Sequence, residues 1–151
     1  MTRWLTEDEQ RSWRAWLAAS LLLGDQLSRD LQERHGLTIA DYEILVRLSE
    51  ASQRRLRMSD LAEATLSSRS RLSHQIDRME KAGLVERQVC ASDRRGSFAV
   101  LTDRGWGVLV DAAPAHVASV RAHLVDVLTP KEFAALGAAC QRVVDHLSGA
   151  E

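Results

Sequence analysis

The chain holds only two cysteines, two prolines and one tyrosine in 151 residues, and no long apolar run. Without a stretch of about 20 apolar residues there is no expected membrane span. Cys90 and Cys140, far apart in sequence, are too few for a disulfide framework. The opening residues, Met1-Thr2-Arg3-Trp4-Leu5-Thr6-Glu7-Asp8-Glu9, lack the apolar core of a secretory signal and turn acidic at once. A cytoplasmic chain with reduced thiols is therefore expected. Catalytic signatures are missing too: no Gly-rich phosphate loop, no HExxH motif and no nucleophile elbow. The five histidines, His35, His74, His116, His123 and His146, are scattered. His116 and His123 can share a helix face, but no cysteine or carboxylate beside them completes a metal-ligand spacing. The expectation is a protein that is not an enzyme and that holds no cofactor and no metal.

What is present is an ordinary globular composition, 45% apolar and 27% charged, in a length that suits one domain over residues 1–151. The net charge of −1 averages two unlike parts. Residues 54–104 contain 11 Arg and Lys against 7 Asp and Glu, whereas the remainder holds 9 against 14. A local basic patch can attract phosphate even when the whole chain is nearly neutral. Arg54, Arg55 and Arg57 add to it, either as backbone contacts or as solubilising residues of a turn.

Within that basic stretch, Ser59 as N-cap and the apolar Leu61, Ala62 and Leu66 predict a short helix over about 59–65. A second helix starts at Ser67 or Ser68, carries Leu72, Ile76 and Met79 at helical spacing, and stops at Gly83. At about 100° per residue, Ser70, Arg71, His74 and Arg78 fall opposite Leu72 and Ile76, with Ser67 and Gln75 flanking. The outward face carries no aliphatic residue. Its side chains suit base edges and phosphates, since arginine pairs with guanine and glutamine with adenine in bidentate fashion. Arg71, His74 and Gln75 are the expected base readers.

Two strands follow, Leu84 to Val89 and Ser97 to Leu101, joined by Cys90-Ala91-Ser92-Asp93-Arg94-Arg95-Gly96. A helix pair followed by a β-ribbon with a basic tip describes a winged helix-turn-helix that grips duplex DNA at two places. Arg94 and Arg95 suit a narrow minor groove or a phosphate. Asp93 and Gly96 are expected to shape the tip, the carboxylate by accepting loop hydrogen bonds or pairing with an arginine.

These residues resemble the multiple-antibiotic-resistance regulator (MarR) family. The matching stretches are Leu61-Ala62, Ser70-Arg71-Leu72-Ser73, Ile76-Asp77-Arg78-Met79-Glu80-Lys81-Ala82-Gly83-Leu84-Val85-Glu86-Arg87, Asp93-Arg94-Arg95-Gly96 and Leu101-Thr102-Asp103-Arg104-Gly105. Their order and spacing match together, and the flanking helices extend the likeness over nearly the whole chain. The resemblance implies a two-fold dimer on pseudo-palindromic operators that usually represses transcription and often releases DNA when a small molecule or oxidant acts. It also implies a wing arginine in the minor groove, by motif position Arg95, with Arg94 as the close competitor.

The expected fold is mainly α with a small β-wing: residues 38–102 form the DNA-binding part, and 6–35 and 103–148 supply mainly dimerisation helices. Thr6 and Glu9 have the capping-box spacing for the first helix, which His35-Gly36 ends. Thr38 and Asp41 open a second. A further helix runs past Trp106 and is expected to bend at Pro114. Thr129-Pro130-Lys131-Glu132 starts the last. Trp4, Leu5, Trp13, Trp16, Val144 and Leu147 give the two ends more apolar surface than so small a body covers, which predicts a homodimer. A small aromatic or lipophilic effector, if bound, would meet Trp13, Trp16, His35 and Trp106. Two alternatives remain: a redox switch through Cys90 near the basic wing, and a protein-interaction module without DNA specificity. The peroxide-sensing branch of the family carries its cysteine near the N-terminus, where this chain has none.

Overall fold

The computed structural model describes residues 1–89 and 96–149. Among the described residues there are six α-helices, α1 (Glu7–His35), α2 (Ile39–Glu50), α3 (Met58–Ala64), α4 (Arg69–Lys81), α5 (Asp103–His123) and α6 (Pro130–Ser148), and three strands, β1 (Arg55–Arg57) between α2 and α3, and β2 (Val85–Val89) and β3 (Ser97–Leu101) between α4 and α5. The strands form one antiparallel sheet in the order β1-β3-β2. The chain divides into two compact units, residues 28–115 and residues 1–27 with 116–151. Among the described residues no helix is long and apolar enough to cross a membrane.

The helix starts obey local capping chemistry. Thr6, Thr38 and Thr129 each accept from the amide three residues on, while Glu9, Asp41 and Glu132 accept from the threonine amide in return. Each pair satisfies two of the amides that a helix start leaves open. Ser59 does not cap α3: the helix begins one residue earlier after Arg57, and the Ser59 hydroxyl turns to Asp60. Leu66 is not part of the helix stripe either. It stands in the turn with φ 53° and is exposed, while Leu66 N–H donates to Glu63 O and Ser67 N–H to Ala62 O. This is a Schellman closure built on leucine where glycine is usual, at a cost of about 1–2 kcal/mol.

The other end of α4 uses glycine for the same purpose. Gly83 has φ 76°, its amide donates to Glu80 O, and Leu84 N–H donates to Met79 O. Three following carbonyls are then taken by the segment that starts α5. Thr102 Oγ1 donates to Gly83 O at 2.6 Å, Thr102 N–H to Leu84 O, and Arg104 Nε to Ala82 O. Gly105 packs so close that a Cβ there would lie 2.1 Å from Leu84 O. The Leu101–Gly105 motif thus has a physical meaning: it closes the turn after α4 and starts the next helix at one place.

Among the described residues, the buried apolar ones all belong to the 28–115 unit, from Leu31 and Leu45 through Leu61, Leu72 and Ile76 to Ala99, Leu101 and Leu109. β1, Arg55-Leu56-Arg57, is too short to show a period in sequence. Its pairing with β3, Arg55↔Val100 to Arg57↔Phe98, supplies the signal that spacing lacks. Pro114 lies inside α5, which runs on to His123.

Candidate nucleic-acid interface

Ser68 caps α4, its hydroxyl accepting from Arg71 N–H at 3.1 Å, so the helix opens with a fixed first turn. Leu72, Ile76 and Met79 are buried beneath it, and Ser68, Ser70, Arg71, His74 and Arg78 are exposed. Ser67 is half-buried, and its hydroxyl donates to Ser68 O. The exposed face presents donors with no aliphatic side chain among them.

Gln75 is the correction. It is only 9% exposed and donates through Nε2 to Asp41 Oδ1 at 3.2 Å. The reason is register: Gln75 is three residues from Leu72 and four from Met79, so it shares their face rather than flanking the opposite one. Arg78 Nη2 donates to the same Asp41 oxygen at 2.9 Å, although most of the Arg78 side chain stays in solvent. Asp41 is itself buried, and a buried carboxylate is tolerated where it is paired and hydrogen-bonded. One side chain therefore caps α2 and anchors α4. Its spacing from Thr38 announced the cap; nothing local in sequence announced the partners 34 and 37 residues away.

On the wing side, Arg87 reaches back from β2 to α4, pairing with Asp77 Oδ1 at 2.9 Å and donating to Ser73. In sequence Arg87 shows only as the end of the family-matching stretch Ile76–Arg87, with no sign of these partners. Arg55 and Arg57 stand over the Phe98 ring at 4.7 and 5.3 Å. A cleft of about 560 Å³ lies between the start of α4 and the sheet, with Arg57, Arg69 and Arg87 in its walls and Ser59 and Ser70 beside them. Gly96 also lines it, whereas Cys90, Asp93, Arg94 and Arg95 lie outside the described residues.

The residues expected around an effector are Trp13, Trp16, His35 and Trp106. Trp13 and Trp16, each about half exposed, belong to the unit of chain ends, and His35 and Trp106 to the 28–115 unit. The Trp106 ring is covered by Arg54 at 4.3 Å, which also lies 3.6 Å from Asp103. Arg54 and its neighbour Gln53 both have left-handed backbone, φ 52° and 56°. Stacking and pairing hold Arg54 in that strained turn, so it fastens α5 rather than merely solubilising a loop. Cys140 is a half-buried free thiol on α6.

The MarR family model matches residues 35–96, the span that contains α2, α3, α4 and the hairpin's first strand. Among solved structures, AbsC, a MarR family transcriptional regulator from Streptomyces coelicolor, is 55% identical over 98% of this chain and 99% of its own, with a TM-score of 0.94. Sco3205, a MarR family transcriptional regulator from the same organism crystallised in complex with DNA, is 46% identical over 97% of this chain and 92% of its own, with a TM-score of 0.95. The HTH-type transcriptional regulator MhqR of Bacillus subtilis is 26% identical over 110 residues, 73% of each chain.

Proposed function

The chain belongs to the MarR family of transcriptional regulators, and from that premise we propose that it is a homodimeric repressor which reads a pseudo-palindromic operator with α4 and releases it on binding a small aromatic or lipophilic effector. The carrying observation is the exposed face of α4, Ser70, Arg71, His74 and Arg78, standing beside an arginine-walled cleft. Arg71 and His74 take base edges, with Ser70 adaptable between base and phosphate. Arg78 and Ser67 lie further toward the backbone, and Gln75 holds the helix in place from beneath. Arg57 and Arg69 give the cleft the charge to seat a backbone phosphate. Arg95, with Arg94 beside it, enters the minor groove.

Dimerisation is carried by the chain ends, where Trp4, Leu5, Trp13, Trp16, Val144 and Leu147 are exposed. Two-fold symmetry then sets the two recognition helices about 34–36 Å apart, one turn of DNA. Trp13 and Trp16 remain the proposed walls for an effector, because half-exposed indole rings offer flat apolar contact. An interaction module would place aromatic or aliphatic anchors on the α4 face, and the exposed residues there are polar.

The test is selection of duplexes from a random library by the wild-type protein, followed by anisotropy titrations of the enriched and a scrambled duplex at two salt concentrations. Preference of at least about 10³-fold and strong salt dependence are expected. Arg71→Ala should cost about 1–3 kcal/mol on the enriched duplex and little on the scrambled one. Absence of any enriched sequence would overturn the reading.

A further inference from the structure

We propose that Arg87 is a positioning residue that locks the base of the wing to the recognition helix, so that the two DNA contacts act as one rigid reader. The inference rests on the DNA-reading function above and adds a device to it. Ser73, Asp77 and Glu80 recur at helical spacing along one face of α4. All three accept from Arg87. Glu80 Oε2 takes the Arg87 amide at 2.7 Å, the Ser73 carbonyl and hydroxyl take Nη2 at 2.8 and 3.0 Å, and Asp77 Oδ1 pairs with Nη2 at 2.9 Å.

The position of Arg87 makes this more than a surface pair. β2 is an edge strand, and the Arg87 amide is one that a sheet edge would otherwise leave to water. Opposite it on β3 is Ala99, fully buried, so the residue is fixed on both sides. The guanidinium Nε is also buried, without a hydrogen-bond partner of its own, and the contacts to α4 are made through Nη2. Beyond Arg87 the strands continue outward through Gln88↔Phe98 and Val89↔Ser97 toward the wing tip. A small rotation at Arg87 would be magnified at the tip, where the groove contact is proposed.

Charge alone predicts the opposite role for Asp77. It is about half exposed on the DNA-reading helix, where a carboxylate repels phosphate, so its removal should simply tighten binding to any duplex. If it holds Arg87 in place, its removal should instead weaken binding to the specific duplex. The two accounts differ in sign.

The experiment uses the full-length wild type, Asp77→Asn and Arg87→Gln, titrated against the duplex that the wild type enriches and against a scrambled duplex, with thermal unfolding as a control. Both variants are expected to melt within about 5 °C of wild type. For both, affinity for the enriched duplex should fall about tenfold. Asp77→Asn should bind the scrambled duplex at least as tightly as wild type does. Specificity then falls in two variants whose charge changes are opposite. Tighter binding of Asp77→Asn to both duplexes, with the ratio unchanged, would overturn the proposal and leave the DNA-reading function standing. Failure of the wild type to enrich any sequence would remove both. If Arg87→Gln does not fold, Asp77→Asn alone decides, since it removes a charge without removing the strand's side chain.

Discussion

The two units of this chain are built from similar amphipathic helices and reach opposite outcomes. In residues 28–115, Leu45, Leu48, Leu61, Ile76 and Ala99 have no exposed surface at all. In the chain ends no described residue is buried, and Trp4, Leu22 and Leu147 are 82%, 70% and 78% exposed. Hydrophobicity therefore does not decide burial by itself. In the 28–115 unit α2, α3, α4 and the sheet meet around a common centre, so each apolar stripe finds another within the same chain. The helix ends of the other unit leave their stripes open, as a self-associating surface would.

The sharpest way to break that contrast is to charge the open surface. Val144→Asp with Leu147→Asp should convert a dimer to monomers in sedimentation and lower operator affinity by about 10³-fold, to the level of random DNA. An intact dimer after both changes would mean that another surface joins the copies. Next in size is Leu45→Ala, which should cost about 2–5 kcal/mol in urea unfolding because it opens a cavity in a closed core. That loss should not depend on protein concentration, whereas the effect of Leu147→Ala should grow as the protein is concentrated. A concentration-dependent Leu45→Ala loss would erase the distinction between the units.

A smaller effect is expected at Gly105, where α5 begins. Gly105→Ala forces a methyl against the Leu84 carbonyl and should cost about 1–3 kcal/mol, read from chemical denaturation. A neutral result would mean that α5 shifts freely at its start. The smallest concerns acid stability at α6. Hydrogen bonds from the Thr129 backbone and hydroxyl hold the Glu132 carboxyl below its ordinary value of 4.5. The folded state thus binds this proton less readily than the unfolded state. The cap contributes above pH 4.5 and is lost as pH falls through the lowered folded value. Glu132→Gln, which leaves no carboxyl to titrate, should remove that part of the acid dependence, measured by helical circular dichroism between pH 5 and about pH 3. An unchanged acid profile would show that the cap is not coupled to helix stability.

Much of this was legible from residue order because it is local. The caps at Thr6, Thr38 and Thr129 were readable from three-residue spacings, and the stop at Gly83 from a single glycine after a helical stripe. Ser59 misled because a favourable cap residue stood one position inside a helix whose start is set by β1 pairing and by Met58 packing against the core. Gln75 misled for a related reason. A polar residue on the edge of a buried stripe goes to solvent unless another element offers it a partner, and Asp41 does.

The sequence by itself determined the threonine-capped helix starts and the stop at Gly83, the polar character of α4 and the concentration of positive charge in residues 54–104, since capping, periodicity and charge are properties of near neighbours. Only the tertiary structure decided which of those polar residues are free. Asp41 withdraws Gln75 from the surface, Ser73, Asp77 and Glu80 hold Arg87, and Trp106 holds Arg54. These choices join residues far apart in the chain. Burying a charge or an amide is stable only when its partners arrive from another element, and no spacing within one element records their arrival.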